Sequence, residues 1–176
     1  MWQANPGILP VGLRDILQHS GSLTGFLEKQ SPRTFNLELI SQSWEIPMLD
    51  EALLLSVNPA QYTLVREILL RFDDRPLVYG RSIIPRMTLT GNERQLAKWG
   101  QRSLGDYLFA RQGVKRGVME FTRIPANSRY YAIDKFVQNN KDNTYWGRRS
   151  IFHVRSKPLL VIEIFLPGFS SCIKKS

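Results

Sequence analysis

The segment QYTLVREILLRF alternates in a way that predicts a strand. Its even positions are Tyr62, Leu64, Arg66, Ile68, Leu70 and Phe72, and its odd positions are mixed. Side chains of a strand point alternately to its two faces, so one face is apolar apart from Arg66. Arg66 is therefore expected to point at the core, and Glu67 at solvent or a half-exposed layer. So short a run also fits a helix, but the turn signal DDRP and the strand-like LVYGRSIIP that follows favour a hairpin. A further strand is expected over 33–45, and others in GVMEFTRI, WGRRSIFHV and KPLLVIEIFLP. Helical spacing appears near the start, in VGLRDILQHSGSLTGFLEKQ. Leu13, Ile16 and Leu17 share one face, Leu23, Phe26 and Leu27 share another, and Ser20-Gly21 breaks the two pieces apart.

Two capped helix starts follow. TGNERQLAKWG offers Thr90 as N-cap, Glu93 as its capping-box partner and Gly100 as a stop. SLGDYLFARQG offers Ser103 and Asp106 in the same roles, with Gly113 ending it, and it leaves backbone N–H groups at Leu104 and Gly105 for an anion. The stretch QNNKDNT reads as an exposed polar loop. Strands joined by short links, with helices in two clusters, predict an antiparallel α+β domain.

One residue breaks the pattern. Leu159 to Leu166 are apolar except for Glu163. A carboxylate in such a run needs a partner or a task, because an unpaired buried charge is very costly. Arg66 is the matching exception on its own strand. Its planar guanidinium suits a carboxylate. The two residues alone leave two readings open: a structural ion pair between Arg66 and Glu163, or two ends of a site for a small carboxylate that undergoes proton-coupled chemistry. Leu104 is either an N–H donor to that ligand or an ordinary helix residue. Arg148-Arg149 in WGRRS is either a carboxylate clamp or a solvated strand end.

Composition narrows the partners. The 176 residues suffice for one domain with a real core. The formal net charge is +9, unevenly spread: residues 1–50 hold three bases and five acids, and residues 101–176 hold fourteen bases and five acids. Such a field attracts anions of any kind. The bases are scattered singly, so a nucleic-acid partner is not expected. One cysteine, Cys172, and two histidines cannot supply zinc-finger spacing or an internal disulfide. His19 and His153 have no evident Ser, Cys or Asp constellation. No dinucleotide or phosphate-loop glycine motif is present. No signal peptide and no apolar run long enough to span a bilayer is seen, so a cytoplasmic protein without stable membrane insertion is expected.

Several motifs recur together: LVREILL, YGRSIIP, LTG, SLGDYLF, WGRRS and KPLLVIEIFLP. In order and spacing they resemble the bacterial chorismate pyruvate-lyases, from about Leu17 to Pro167. The chain departs from that family between Val118 and Asn143. The resemblance implies a single domain over 1–176 with a core of about 13–167. It implies one antiparallel sheet of about six strands, with helices on one side forming flaps over an internal ligand site. It implies conversion of chorismate to 4-hydroxybenzoate and pyruvate, the first committed step of ubiquinone synthesis, with neither metal nor organic cofactor; a monomer is expected. It places the carboxylate-binding arginine on Arg66, a backbone donor on Leu104, a catalytic glutamate on Glu163 and a flap contact on Leu23. Arg81, in the pair Gly80-Arg81, is assigned to the enolpyruvyl carboxylate. The competing reading is a non-catalytic sensor of small aromatic carboxylates with the same fold.

Overall fold

Seven antiparallel strands form one sheet in the computed structural model, which describes residues 1–30, 34–125, 128, 132–137 and 144–172. They are β1 (Phe35–Glu45), β2 (Thr63–Phe72), β3 (Arg75–Ile84), β4 (Val114–Arg116), β5 (Glu120–Pro125), β6 (Thr144–Val154) and β7 (Lys157–Phe165). The order is β1-β2-β3-β7-β6, and two short strands share the far edge: β4 and β5 both pair with β6. The expected β2–β3 hairpin turns at Asp73-Asp74, where Asp73 takes φ +49°. The β6–β7 hairpin turns at Arg155 and Ser156, both with positive φ, as the tightest hairpins require.

Among the described residues five α-helices cover the sheet: α1 (Val11–Leu17), α2 (Leu23–Gln30), α3 (Leu49–Leu55), α4 (Leu104–Ala110) and α5 (Pro167–Cys172). The break at Ser20-Gly21 separates α1 from α2, as the spacing predicts. Ser103 caps α4 by accepting from the Asp106 N–H at 3.1 Å. Asp106 does not close a capping box. Its Oδ1 accepts instead from Ser22 Oγ at 2.9 Å, while Ser22 Oγ caps α2 through the Gly25 N–H. Gly91–Lys98 is a 3-10 helix, and the Thr90 hydroxyl meets Lys157 Nζ instead of capping it.

Helix α3 had no counterpart in the sequence reading. It lies on the opposite face from α2 and α4. Leu55 there packs with Leu69, Tyr79, Ile83, Ile162 and Ile164, the set that alternates away from Arg66 and Glu163. Covers on both faces explain why β2 and β3 are buried almost throughout rather than on alternate residues. On the Arg66 face the core is two separate clusters. One joins α1 and α2 to Leu70, Val78 and Phe165. The other joins α4 and the 3-10 helix to Leu64, Ile84, Phe152 and Leu159. The space between them is the site. Most of the stretch from 126 to 143, including much of QNNKDNT, lies outside the described residues, as do residues 173–176 and the side chain of Cys172.

Candidate active site

Strand register assembles the site floor in two rows. Arg66, Ser82, Val161 and Ser150 are successive partners across β2, β3, β7 and β6; Ile68, Gly80, Glu163 and Arg148 form the next row. Arg66 and Glu163 thus lie two strands and two residues apart, roughly 12 Å between Cα atoms by ordinary sheet spacing. Gly80 keeps the floor open between them, since a Cβ there would sit 2.8 Å from Ile68 Cγ1. The walls come from Leu23 and Thr24 of α2 and from Leu104, Gly105 and Leu108 of α4. The result is a narrow, largely enclosed cavity of about 50 Å3.

Arg66 is 1% exposed. Its Nε and Nη2 donate to the Gly100 carbonyl at 3.3 and 2.9 Å, and Nη2 also to the Arg102 carbonyl at 2.8 Å. No carboxylate among the described residues pairs with it. Burial pushes its pKa down to about 10, and it stays charged at neutral pH. A buried guanidinium held only by carbonyl dipoles, against a cavity, is poised for an anion. Leu104 opens α4 beside it. As first residues of a helix, Leu104 and Gly105 have N–H groups without intrahelical acceptors.

Glu163 does not pair with Arg66. Its Oε2 accepts from Arg148 Nε at 2.5 Å. Arg148 is 1% exposed, and its Nη1 donates to the Leu17 and His19 carbonyls at 3.0 and 2.8 Å. The guanidinium therefore ties the end of α1 to the site while orienting the carboxylate. A third arginine lines the same end. Arg116, at the end of β4, donates from Nε to Ser150 Oγ at 3.0 Å and from Nη1 to the Ser20 carbonyl at 3.1 Å. Burial, and then the neighbouring Arg148, push its pKa down to about 10, against the pull of Glu163. Outside the cavity, His19 is held below its usual pKa by burial and by Arg148 and Arg116.

Of the residues singled out in the sequence, Arg66, Leu104, Glu163 and Leu23 meet around this cavity; Arg81 does not. It alternates onto the back face, where Nε and Nη2 bond Glu51 at 2.8 and 3.2 Å and Nη1 bonds Glu67 at 2.7 Å. Burial disfavours its charge, but Glu51 and Glu67 outweigh that and raise its pKa overall. The pair Arg148-Arg149 is neither a joint clamp nor a solvated end: both are buried and they face opposite ways. Arg149 bonds Glu120 and Asp50 on the back face. Arg116 is the site residue that reading along the chain passed over, and Arg148 was weighed there only as half of a pair with Arg149.

Among the described residues no cluster of His, Cys, Asp and Glu could hold a metal ion. Nor is any helix among them long and apolar enough to cross a membrane.

A family model described as chorismate lyase matches residues 1–174. The chain belongs to the chorismate lyase family. A probable chorismate pyruvate-lyase of Coxiella burnetii is 37% identical over 168 residues, covering 96% of this chain and 86% of that protein. One of Methylococcus capsulatus is 39% identical over 151 residues, covering 86% and 92%. Among solved structures, a GntR-family transcriptional regulator from Bacillus cereus matches with a TM-score of 0.59 at 12% identity, over 81% of this chain and 96% of that one. The PhnF C-terminal domain matches at 0.60 and 16% identity, over 79% and 86%. At such identities these structures speak for the fold alone: this member of the chorismate lyase family shares an open antiparallel sheet with regulator domains.

Proposed function

We propose that the protein is a chorismate pyruvate-lyase. One observation carries this: among the described residues the cavity presents three arginines, Arg66, Arg116 and Arg148, and one carboxylate, Glu163. That is a net charge of two positive, and chorismate is a dianion. The floor between the charges is flat and apolar, with Ile68, Gly80 and Val161, which suits a six-membered ring.

Arg66 and the Leu104 N–H hold the ring carboxylate. Glu163 then lies at the opposite end, beside the ring carbon that bears the hydroxyl. Chemistry breaks the bond between the neighbouring ring carbon and the ether oxygen. The hydrogen on the hydroxyl-bearing carbon leaves as a proton, the ring becomes aromatic, and the departing enolate picks up a proton on carbon to become pyruvate. Aromatisation supplies the driving force. No electrons are exchanged with an outside carrier, so the reaction needs no redox cofactor. The protein's task is to bind, orient and move one proton. Glu163, ion-paired with Arg148 as a carboxylate, is positioned to accept it.

The cavity has room for roughly a few water molecules, so the ring can enter only if α2 and α4 part. Ser22 and Asp106 bridge the starts of these helices. Opening this flap sets the rate of product release. The protein works as a single-domain monomer in the cytoplasm, and its product feeds ubiquinone synthesis.

Incubation of the purified protein with chorismate tests the reading. Release of pyruvate and 4-hydroxybenzoate is expected. Binding of 4-hydroxybenzoate without any pyruvate release would make the domain a sensor of aromatic carboxylates.

A further inference from the structure

The ring carboxylate leaves the second carboxylate of the substrate without a receptor. Arg81 is unavailable, since both its prongs are taken on the far face of the sheet. The enolpyruvyl ether is attached next to the hydroxyl-bearing carbon, so its carboxylate projects at the Glu163 end of the cavity. Two guanidiniums stand there. Arg148 is committed, with Nε on Glu163 and Nη1 on two carbonyls. Arg116 is not. Its two bonds go to neutral acceptors, Ser150 Oγ and the Ser20 carbonyl, and no carboxylate among the described residues pairs with it. Its guanidinium lies 5.2 Å from the Phe152 ring centroid and 6.0 Å from that of Phe109, and both rings line the same cavity.

We infer that Arg116 receives the carboxylate of the enolpyruvyl group and so selects dianionic substrate over monoanionic product. The two fixed bonds of Arg116 orient its plane and leave Nη2 for the ligand. Ser20 belongs to the link between α1 and α2, so the same side chain joins the carboxylate to the root of the flap. After cleavage the pyruvate carries this carboxylate away, and 4-hydroxybenzoate retains only its hold on the Arg66 end.

The inference rests on the lyase reading, but binding tests it without turnover. Two stable aromatic ligands are compared by calorimetry: 3-(carboxymethoxy)-4-hydroxybenzoate, which carries a second carboxylate at the position of the ether, and 3-methoxy-4-hydroxybenzoate, which does not. The wild-type protein is expected to prefer the first by about 10- to 100-fold, the range of one charge-assisted hydrogen-bonded pair. Arg116→Gln should erase that preference, Arg116→Lys should keep part of it, and affinity for 4-hydroxybenzoate should change less than about threefold in both. For chorismate turnover, Arg116→Gln should raise KM more than it lowers kcat. Equal affinity of the wild-type protein for the two ligands overturns the proposal, whatever the variants do. So does a preference that survives in Arg116→Gln, or a parallel loss of 4-hydroxybenzoate binding, which would make Arg116 a structural tie of Ser20. A wild-type protein that shows the preference but releases no pyruvate from chorismate would instead sink the lyase reading and leave the subsite standing.

Discussion

The two faces of this sheet treat arginine in opposite ways. On the back face, Arg81 has Glu51 and Glu67, and Arg149 has Glu120 and Asp50, two carboxylates for each guanidinium. On the cavity face, among the described residues, three guanidiniums stand against one carboxylate, Glu163, which pairs with Arg148. The strands are the same and the residues are often sequence neighbours, as in Arg148 and Arg149. A buried cation costs free energy unless it is matched. The back face matches its cations internally and gains rigidity. The cavity face supports its own with carbonyls and hydroxyls, and leaves the charge to be completed by a ligand. Such a deficit, set in an enclosed cavity, is what a functional site looks like in electrostatic terms.

This contrast can be broken from either side. The largest effect is expected from Glu163→Gln, which keeps the shape but removes the carboxylate proposed to accept the proton. Its kcat should fall by about 100-fold or more in a pyruvate-release assay, the range for a lost acid–base group. Near-normal turnover would leave Glu163 as a hydrogen-bonding group only. Next, Arg81→Met strands Glu51 and Glu67 and should cost about 3–5 kcal/mol of stability in denaturant melts, while 4-hydroxybenzoate affinity stays within about threefold. Arg66→Met should do the reverse. Affinity for 4-hydroxybenzoate should drop by about 100-fold, as expected for a desolvated charged pair, and Tm should fall less than in Arg81→Met. If both variants lost stability and binding together, the two faces would not differ as described. Ser22→Ala opens the bridge between α2 and α4 and should cost about 1 kcal/mol, with faster release of 4-hydroxybenzoate in stopped flow. The smallest effect concerns His19. Its pKa in the folded protein lies below the ordinary 6.5, so the unfolded chain binds the proton first as pH falls. Stability should therefore decline below about pH 6.5, and His19→Gln should flatten that slope.

Much of this was legible along the chain. Parity alone put Arg66 and Glu67 on opposite faces, and the break at Ser20-Gly21 separated α1 from α2. Glu163 was recognisable as an exception in an apolar run. The roles of the arginines were harder to read. Arg81 sits next to Gly80, which does line the cavity, and a single residue step reverses the direction of a strand side chain. Arg148 and Arg149 posed the same ambiguity. Arg116 belongs to a three-residue strand too short to show a pattern. Helix α3 was overlooked, and with it the cover that makes the back face a second core.

The sequence by itself determined which residues are out of place in their strands, and the family to which the chain belongs, because both depend on local order and spacing. Only the tertiary structure decided the partners. Glu163 meets Arg148 and not Arg66 because β6 pairs with β7 in a register that sets those two side by side. Arg81 meets Glu67 because β2 and β3 align them, and Glu51 because α3 lies over that face. Arg116 reaches the cavity because β4 closes on the far edge of β6. Charge pairing is a matter of a few ångströms between residues far apart in sequence, and strand register sets those distances.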